Sequence, residues 1–298
     1  MGEELRVAHV TDIHVQRAPR AAQLGGKRLL GAANLYVGGR RSHFTVATQQ
    51  ALARDLPGTH PDLVLCTGDL TALSTRQEFD EAHDLLAPVF SAQPTVVIPG
   101  NHDVYTRRAW LERRLEDRFG AWTGTGDWPR LHLPVEGVAV VAVDVCVPGL
   151  ASAGAIDEAQ LDGLDSLLAD KRLEGRFVFV MLHYPLRSRR GERYGPARRA
   201  LRHAERLEAV LAHHADTVDA ILHGHEHHGF RTALPSPHGD IPILNPGAAG
   251  YAFMPQRKRT AHFCVYVLRD GRLAEVERYA FDGMRFLPEE GGAWATGG

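Results

Sequence analysis

Residues 95–103 read TVVIPGNHD, an apolar run that breaks at Gly100 and continues at once with a carboxamide, an imidazole and a carboxylate. An apolar run of this length predicts a buried strand. The glycine permits a sharp exit from that strand. Polar side chains placed directly after a buried strand are typical of a functional site at its carboxyl end.

Four other apolar runs also end in residues of the kinds that bind metals. They read AHVTDIH at 8–14, LVLCTGD at 63–69, FVFVMLH at 177–183 and, after the apolar segment 218–221, LHGHEHH at 222–228. Functional groups of open α/β sheets gather at the carboxyl ends of the strands. The sequence therefore predicts that all five strand ends meet in one site.

The alternation of strand and helix patterns predicts an α/β fold. Short apolar runs predict strands at 5–11, 62–67, 95–99, 137–145, 176–182, 218–223, 241–245, 261–268 and 272–281. Helical spacing predicts helices at 43–55, 76–90, 106–119, 157–171 and 196–214. The repeated order strand, helix, strand predicts parallel pairing, whereas Asp270-Gly271 predicts a closing antiparallel hairpin. We expect mixed sheets covered by helices, in one domain over 1–283 followed by a loose, Gly-rich tail over 284–298.

Bulk composition limits the class of protein without naming it. The chain has 298 residues, 44% of them hydrophobic, and a formal net charge of −2, which predicts a packed core and no general attraction to nucleic acid or membrane. Cys66, Cys146 and Cys264 all lie in apolar runs, which favours core thiols over a disulfide framework. The N-terminus lacks a signal-peptide pattern and no run approaches eighteen apolar residues, so we expect a soluble cytoplasmic protein without a membrane span.

The polar residues at the strand ends form a mixed set of metal ligands. Asp12 and His14 are two residues apart, as are His225 and His227, and in an extended backbone this spacing points both side chains to one face. Carboxylates, a carboxamide and imidazoles together suit Mn, Fe, Zn or Co. The set holds too many ligands for one ion.

These blocks resemble the calcineurin-like metallophosphoesterase superfamily, whose pattern is D-x-H, G-D, G-N-H-[DE], a lone His and G-H-x-H. All five stand here in order, as Asp12-Ile13-His14, Gly68-Asp69, Gly100-Asn101-His102-Asp103, His183 and Gly224-His225-Glu226-His227. The resemblance implies a four-layer αββα sandwich of two mixed β-sheets flanked by helices. It also implies a phosphoester hydrolase that uses two metal ions.

Carried over position by position, the resemblance assigns ligands to each ion. The first ion would be held by Asp12, His14, Asp69 and His227. The second would be held by Asp69, Asn101, His183 and His225. Asp69 would bridge two ions roughly 3.5–4 Å apart, which share a hydroxide that attacks phosphorus in line.

His102 resembles the superfamily's non-ligand histidine, which contacts the phosphate and protonates or stabilises the departing oxygen. Asp69 and His102 are therefore the expected catalytic residues, and Asp103 is expected to support the ligands from behind. His223 shares a face with His225 and His227, so it either supports the ligands in the same way or packs in the core.

Two further residues are open to two interpretations. Asp144 ends the apolar run VAVVAVD and is functional or, as we favour, structural. Tyr184 follows His183 and either lines the pocket or packs beside it.

Departures from related patterns indicate a subfamily. Purple acid phosphatases have G-D-x-x-Y, whereas Leu70, Thr71 and Ala72 follow Gly68-Asp69 here. Residues 68–105 look most like bacterial class III cyclic-nucleotide phosphodiesterases. We therefore expect a phosphodiesterase acting on cyclic nucleotides or other small anionic phosphodiesters. The alternatives are a DNA or RNA nuclease of the repair-exonuclease type and a broad phosphomonoesterase or phosphotriesterase.

Positive charge is concentrated in two stretches that follow proposed ligands. Seven basic and no acidic residues occur from Ile13 to Arg54, and eight arginines against two glutamates occur from Arg187 to Arg206. Such stretches either attract an anionic substrate, nucleic acid being the less favoured one, or form solvated surface. The first stretch also contains the apolar segment LLGAANLYV at 29–37, which is a candidate for a small lid or a homodimer contact.

Overall fold

The computed structural model describes residues 4–20, 24–36, 38–149, 151–195 and 198–289. Its strands are β1 Glu4–Val10, β2 Leu63–Cys66, β3 Thr95–Val97, β4 Arg130–Val135, β5 Val138–Ala142, β6 Gly154–Ala155, β7 Phe177–Met181, β8 Leu201–Arg202, β9 Ala220–Leu222, β10 Phe230–Leu234, β11 Ile241–Asn245, β12 His262–Arg269, β13 Arg272–Phe281 and β14 Phe286–Pro288. Its α-helices are α1 Lys27–Tyr36, α2 Val46–Asp55, α3 Arg76–Phe90, α4 Arg107–Leu111, α5 Arg114–Thr123, α6 Glu158–Leu168 and α7 Ala204–His213.

Two six-stranded mixed sheets dominate the fold, as the sequence predicts. The first has the order β14-β13-β12-β1-β2-β3, with β1, β2 and β3 parallel and the later strands antiparallel. The second has the order β10-β11-β9-β7-β5-β4, with the four central strands parallel and both edge strands antiparallel. The parallel strands of each sheet present their carboxyl ends at one edge of that sheet.

The strands are buried on both faces because each sheet lies between the other sheet and a layer of helices. In β2, Leu63 and Leu65 face the second sheet, while Val64 and Cys66 face α2 and α3. This alternation follows the two-residue period of a strand. The second sheet is covered in the same way by α6 and α7. The layers therefore run helix, sheet, sheet, helix, and the predicted fold class is confirmed.

Several predicted boundaries are corrected by the structure. The predicted helix 106–119 is two helices, because Arg113 takes a left-handed conformation (φ 47°) between α4 and α5. The predicted helix 196–214 begins only at Ala204, because His203 before it is also left-handed (φ 62°). Residues 196 and 197 lie outside the described residues.

The expectation of a loose tail over 284–298 is wrong for its first residues. Phe286–Pro288 forms β14, which pairs with β13 at the edge of the first sheet. Phe286 is buried, with its ring centroid 5.4 Å from that of Phe281 and 5.2 Å from that of Phe263. The buried Phe286 therefore packs the start of the predicted tail against the first sheet. Residues 290–298 lie outside the described part of the chain.

None of the helices in the described residues is both long enough and apolar enough to cross a bilayer.

Candidate dinuclear metal centre

The five strand ends meet at the edge where the two sheets present their carboxyl ends. Backbone hydrogen bonds join the loops directly: the Asp12 N–H donates to Gly68 O (3.0 Å) and the His14 N–H to Asp69 O (2.9 Å). Within the second sheet, the Gly224 N–H donates to His183 O (3.1 Å). The loops therefore hold one another in place.

The first group of polar side chains contains Asp12, His14, Asp69 and His227. One ligand atom from each lies within 4.8 Å of those of the others. His227 Nε2 lies 3.2 Å from Asp12 Oδ1 and 3.2 Å from His14 Nε2. This group matches the ligands proposed for the first ion.

The second group contains Asn101, His183 and His225. Asn101 Oδ1 lies 3.1 Å from His183 Nε2 and 2.8 Å from His225 Nδ1. Asp69 joins the groups, since its Oδ2 lies 3.5 Å from His14 Nε2 on one side and 3.5 Å from His183 Nε2 on the other. Asp69 thus lies between the two groups.

The unpaired polar atoms of the site fit a pair of cations. Within the described residues, Asp12 Oδ1 and Asp69 Oδ2 are buried and form no hydrogen bond of ordinary geometry, although histidine nitrogens lie 3.2–3.5 Å away. A buried carboxylate oxygen left without a partner is costly. Together with the mixed donor set, these oxygens fit hard or borderline metal ions.

The pKa values of Asp69 and His183 also fit a site that binds cations. Burial alone would raise the pKa of Asp69, but His183 and His102 outweigh it and hold that pKa below its ordinary value. Burial alone would lower the pKa of His183, but Asp69 outweighs it and raises the pKa to about 9. A bound metal ion would displace the proton that His183 holds beside Asp69, because an imidazole ligand must be neutral.

Two histidine rings are oriented by hydrogen bonds from Nδ1 to the backbone. His183 Nδ1 donates to Thr67 O (2.7 Å), and His102 Nδ1 donates to Ala72 O (2.6 Å). Each ring therefore keeps its Nε2 lone pair for the site, which is the usual arrangement behind a metal-binding or catalytic histidine. The backbone N–H of His102 also donates to Asp69 Oδ1 (2.7 Å).

The predicted reason for the proximity of Asp12 to His14, and of His225 to His227, is wrong. These residues are not extended: their φ angles are 52°, 52°, 71° and 57°. Asp69 has a φ of 58°. The side chains meet because the backbone turns through left-handed conformations after the strands. Such conformations are costly for residues other than glycine, and they concentrate at functional sites.

Asp103 supports the site through the backbone of two loops. Its carboxylate accepts from the N–H groups of Gly100 (3.0 Å), Leu70 (3.2 Å) and Thr71 (2.9 Å). It therefore fixes the loop that carries Asp69 to the loop that carries Asn101. These hydrogen bonds are the contacts through which Asp103 would play the supporting role that the sequence predicts.

Sequence reasoning missed two supporting residues. Gln49 on α2 is buried and donates from Nε2 to Ile13 O (2.9 Å) and His14 O (3.0 Å). His9 is buried on β1 between Tyr266 Oη and Thr67 Oγ1, both 2.9 Å away. Gln49 could not have been recognised from the sequence, because a glutamine inside a helix pattern does not indicate a buried supporting role. His9 could have been recognised, because it is a polar residue inside an apolar strand run.

The structure gives the contacts of His223, Asp144 and Tyr184, for each of which the sequence allows two interpretations. His223 Nδ1 contacts the Gly224 carbonyl (3.0 Å), so it lies behind the loop of His225. Asp144 accepts from the Cys146 N–H (2.8 Å) and lines a separate cavity. Tyr184 is fully buried, with its ring centroid 4.6 Å from that of His225.

A cavity of about 150 Å³ opens beside the first group of ligands. Its lining includes His14, His102 and His227, and residues of α1 form another wall. Lys27 is the basic residue of the 13–54 stretch that lines it. Residues 29–36 of the segment proposed as a lid or a dimer contact belong to α1, which lines this cavity; residue 37 lies outside the described residues.

The second basic stretch is partly neutralised by ion pairs. Arg187 and Arg193 both contact Glu208 Oε2, at 3.1 Å and 2.9 Å. Arg206 pairs with Glu158. These arginines belong to solvated and structural surface more than to a free anion-binding face.

A family model described as calcineurin-like phosphoesterase matches residues 5–229 of this chain. No curated protein matches the sequence.

Solved structures show the same fold at low sequence identity. A dimetal phosphatase from Danio rerio is 15% identical, with a TM-score of 0.59 and coverage of 95% of this chain and 98% of that one. A protein from Thermus thermophilus is 11% identical, with a TM-score of 0.55 and coverage of 93% and 98%. A purple acid phosphatase from Lupinus luteus is 14% identical, with a TM-score of 0.57; this chain is covered over 97% of its length but spans only 53% of the plant protein.

Proposed function

This chain belongs to the calcineurin-like phosphoesterase family, and from that premise we propose that it hydrolyses small anionic phosphodiesters with two metal ions. The position of Asp69 carries the proposal. Its unpaired Oδ2 lies at equal distance from His14 Nε2 and His183 Nε2, one from each group of ligands. A carboxylate shared by two groups of imidazoles is suited to bridging two cations.

The proposed ligands are Asp12, His14, Asp69, Asn101, His183, His225 and His227, with Asp103 and His223 behind them. Mn, Fe, Zn or Co fits this donor set. When bound, such a pair would supply Lewis acidity toward the phosphoryl oxygens and a hydrolytic nucleophile at neutral pH. The residues themselves hold the geometry, because the hydrogen bonds of Asp103, Gln49 and His183 fix the loops and rings.

His102 is proposed to act on the leaving oxygen. Its Nδ1 is engaged by Ala72 O, so only Nε2 faces the cavity. Burial lowers the pKa of His102 to about 4, and the ring is therefore neutral before the substrate binds. A bound phosphoester anion would favour a proton on Nε2, since an adjacent negative charge raises the pKa of a histidine.

Cyclic nucleotides are the substrates that we propose within this class. The resemblance of residues 68–105 to class III cyclic-nucleotide phosphodiesterases and the small cavity beside the ligands support this choice. The nuclease alternative is weakened by the ion pairs of Arg187, Arg193 and Arg206, which reduce the free positive charge that a nucleic-acid strand requires.

A substrate panel tests the proposal. The metal-loaded protein is assayed on cyclic mononucleotides, bis(p-nitrophenyl) phosphate, p-nitrophenyl phosphate and single-stranded DNA, with Mn, Fe, Zn and Co in turn. We expect the highest kcat/KM on the diesters, and on cyclic nucleotides among the natural compounds. Preference for the monoester or for DNA, or absence of hydrolysis with every metal, would contradict the proposal.

A further inference from the structure

The helix α1 is fixed over the proposed metal centre by contacts that do not involve the ligands. Arg28 is buried and donates to Leu73 O (3.2 Å) and to Thr106 Oγ1 (3.3 Å). Ala32 packs in a small apolar cluster with Ala72 and Leu73. Both sets of contacts join α1 to the loops that follow β2 and β3.

Gly31 brings α1 closer to the cavity than another residue would allow. A Cβ at this position would lie 2.5 Å from Tyr105 Oη and 2.8 Å from Leu73 Cδ2. The helix backbone is therefore in direct contact with the cavity wall, and the side chain one turn before Gly31 lies at the cavity. That side chain is Lys27.

Lys27 is a half-buried cation at the wall of the cavity. Its Nζ lies 4.1 Å from the centroid of the Tyr105 ring, and that ring also stacks on His102 with centroids 5.4 Å apart. It forms no ion pair with any carboxylate of the described residues. The side chain lines the same cavity as His14, His102 and His227.

From this arrangement we infer that Lys27 is a substrate-binding residue that selects anionic phosphoesters, which are monoesters and diesters, against neutral phosphotriesters. The inference rests on the proposed function, because it assigns a specificity to the same site. A diester or monoester has a charged non-bridging oxygen for the ammonium, whereas a triester has none. The ammonium of Lys27 is already held over the Tyr105 ring, so little conformational freedom is lost when the anion binds.

The variant Lys27→Met tests this inference because it keeps an unbranched side chain of similar length at the cavity and removes the charge. The metal-loaded wild type and variant are compared on bis(p-nitrophenyl) phosphate and on the neutral triester paraoxon. We expect the diester kcat/KM to fall about tenfold through KM, which is the low end for a lost charge-assisted hydrogen bond, while the triester value stays unchanged. Lys27→Arg should restore most of the diester value.

A second readout does not depend on turnover. Ligand-observed NMR with dimethyl phosphate and trimethyl phosphate should show that Lys27→Met weakens binding of the anion and leaves binding of the neutral ester as it was. Lys171→Met is the matched control, since Lys171 is exposed in the turn before β7, at the opposite edge of the sheet from the site. That variant should change neither ligand.

The outcomes separate the inference from the proposed function. If the wild type hydrolyses diesters and Lys27→Met keeps the same ratio of diester to triester kcat/KM, the inference is overturned and the proposed function stands. An equal loss on both substrates is one such result, and it indicates a structural role for the side chain. If the wild type hydrolyses no phosphoester with any metal, the proposed function fails, whatever the NMR measurement shows.

Discussion

At the scale of single residues, His102 contacts both the proposed metal centre and the cavity without being a proposed ligand. Its backbone N–H donates to the Asp69 carboxylate, while its ring lines the cavity between His14 and Tyr105. The ring is not among the seven proposed ligands. Removal of the ring should therefore separate chemistry from metal binding.

The substitution His102→Ala is expected to leave the metal content unchanged and to lower kcat by roughly 10²–10⁴, the usual contribution of a general acid or base. The loss should be largest for diesters with poor leaving groups, because those need the most stabilisation of the departing oxygen. The measurement is a series of aryl diesters of graded leaving-group pKa, together with metal analysis. An equal loss across the series would show that His102 does not act on the leaving group.

Residue types alone do not explain why the site is strained. The sequence identified Asp12, His14, Asp69, His225 and His227 as ligand candidates, but not that each has a positive φ. Left-handed conformations of such residues cannot be read from their identity, since they are imposed by the loops packed around them. The identity of the ligands was thus predictable, and the backbone geometry that aims them was not.

At the scale of elements, the loops after β2 and β3 are in direct backbone contact. A Cβ on Gly100 would lie 2.1 Å from Asp69 N. Gly68 takes the positive φ (93°) that a sharp turn needs, whereas Gly100 is required for close approach. The sequence predicted a sharp exit at Gly100, but the positive φ occurs at Gly68 and not at Gly100.

The substitution Gly100→Ala should lower the free energy of unfolding by at least about 2 kcal/mol, because neither backbone can move away without breaking the site. It should also reduce metal binding. Gly120→Ala in α5 is the control: nothing lies within 4 Å of its Cβ, so a stabilisation of about 0.5–1 kcal/mol is expected. Urea unfolding of both variants measures the difference, and a Gly100→Ala protein as stable as wild type would contradict the close approach.

A second element-scale prediction concerns the start of α3. Glu78 is buried and its carboxylate accepts from the N–H groups of Leu73 and Thr75, both at 3.0 Å, in a capping box with Thr75. Burial raises the pKa of Glu78 to about 7, although these hydrogen bonds lower it in part. Because the folded pKa lies above the unfolded one, the protonated carboxyl stabilises the fold at low pH, and this contribution is lost as the pH rises toward 7.

The wild type should therefore lose roughly 2–3 kcal/mol relative to Glu78→Gln between pH 4.5 and pH 7.5. Urea unfolding of both proteins across this range measures the difference. Asp84→Asn, at an 86% exposed side chain of the same helix, is the control and should show no comparable change. A constant difference between wild type and Glu78→Gln would mean that the carboxyl titrates alike in both states.

At the scale of the whole molecule, the residues proposed to hold the metal pair come from both sheets. Asp12 and Asp69 follow strands of the first sheet, whereas His183, His225 and His227 follow strands of the second. Ions held between these groups would connect the halves of the sandwich and relieve the unpaired oxygens of Asp12 and Asp69. Binding to the native state alone stabilises it to a degree that rises with ligand concentration.

Removal of metal by a chelator should accordingly lower Tm, and addition of Mn, Zn or Co should raise it in a concentration-dependent way. At a free metal concentration one hundred times Kd, the expected stabilisation is about 2.7 kcal/mol. Differential scanning calorimetry measures the shift, with Asp69→Asn as the control that should not respond. An identical metal-dependent shift in that variant would contradict the bridging role of Asp69.

Most of the buried parallel strands could be predicted from the sequence because they are short apolar runs. Alternate residues of these runs pack on opposite faces of the sheet, and both faces are buried. The strands β4, β10 and β14 were missed because each lies at a sheet edge and carries exposed or half-buried residues. The helix α1 was seen only as an apolar segment, since its placement depends on Arg28, Gly31 and Ala32 contacting loops distant in sequence.

By itself, the sequence determined the fold class, the family and the identity of the candidate ligands, because apolar strand runs followed by ligand residues are local features of the chain. Only the tertiary structure decided which candidate ligands lie within a few ångströms of one another and which of them have left-handed backbone conformations. It also placed Lys27 at the cavity beside them. Those properties arise from contacts between loops up to 213 positions apart, such as the one from His225 N to Asp12 Oδ2. No local pattern encodes a distance of that kind.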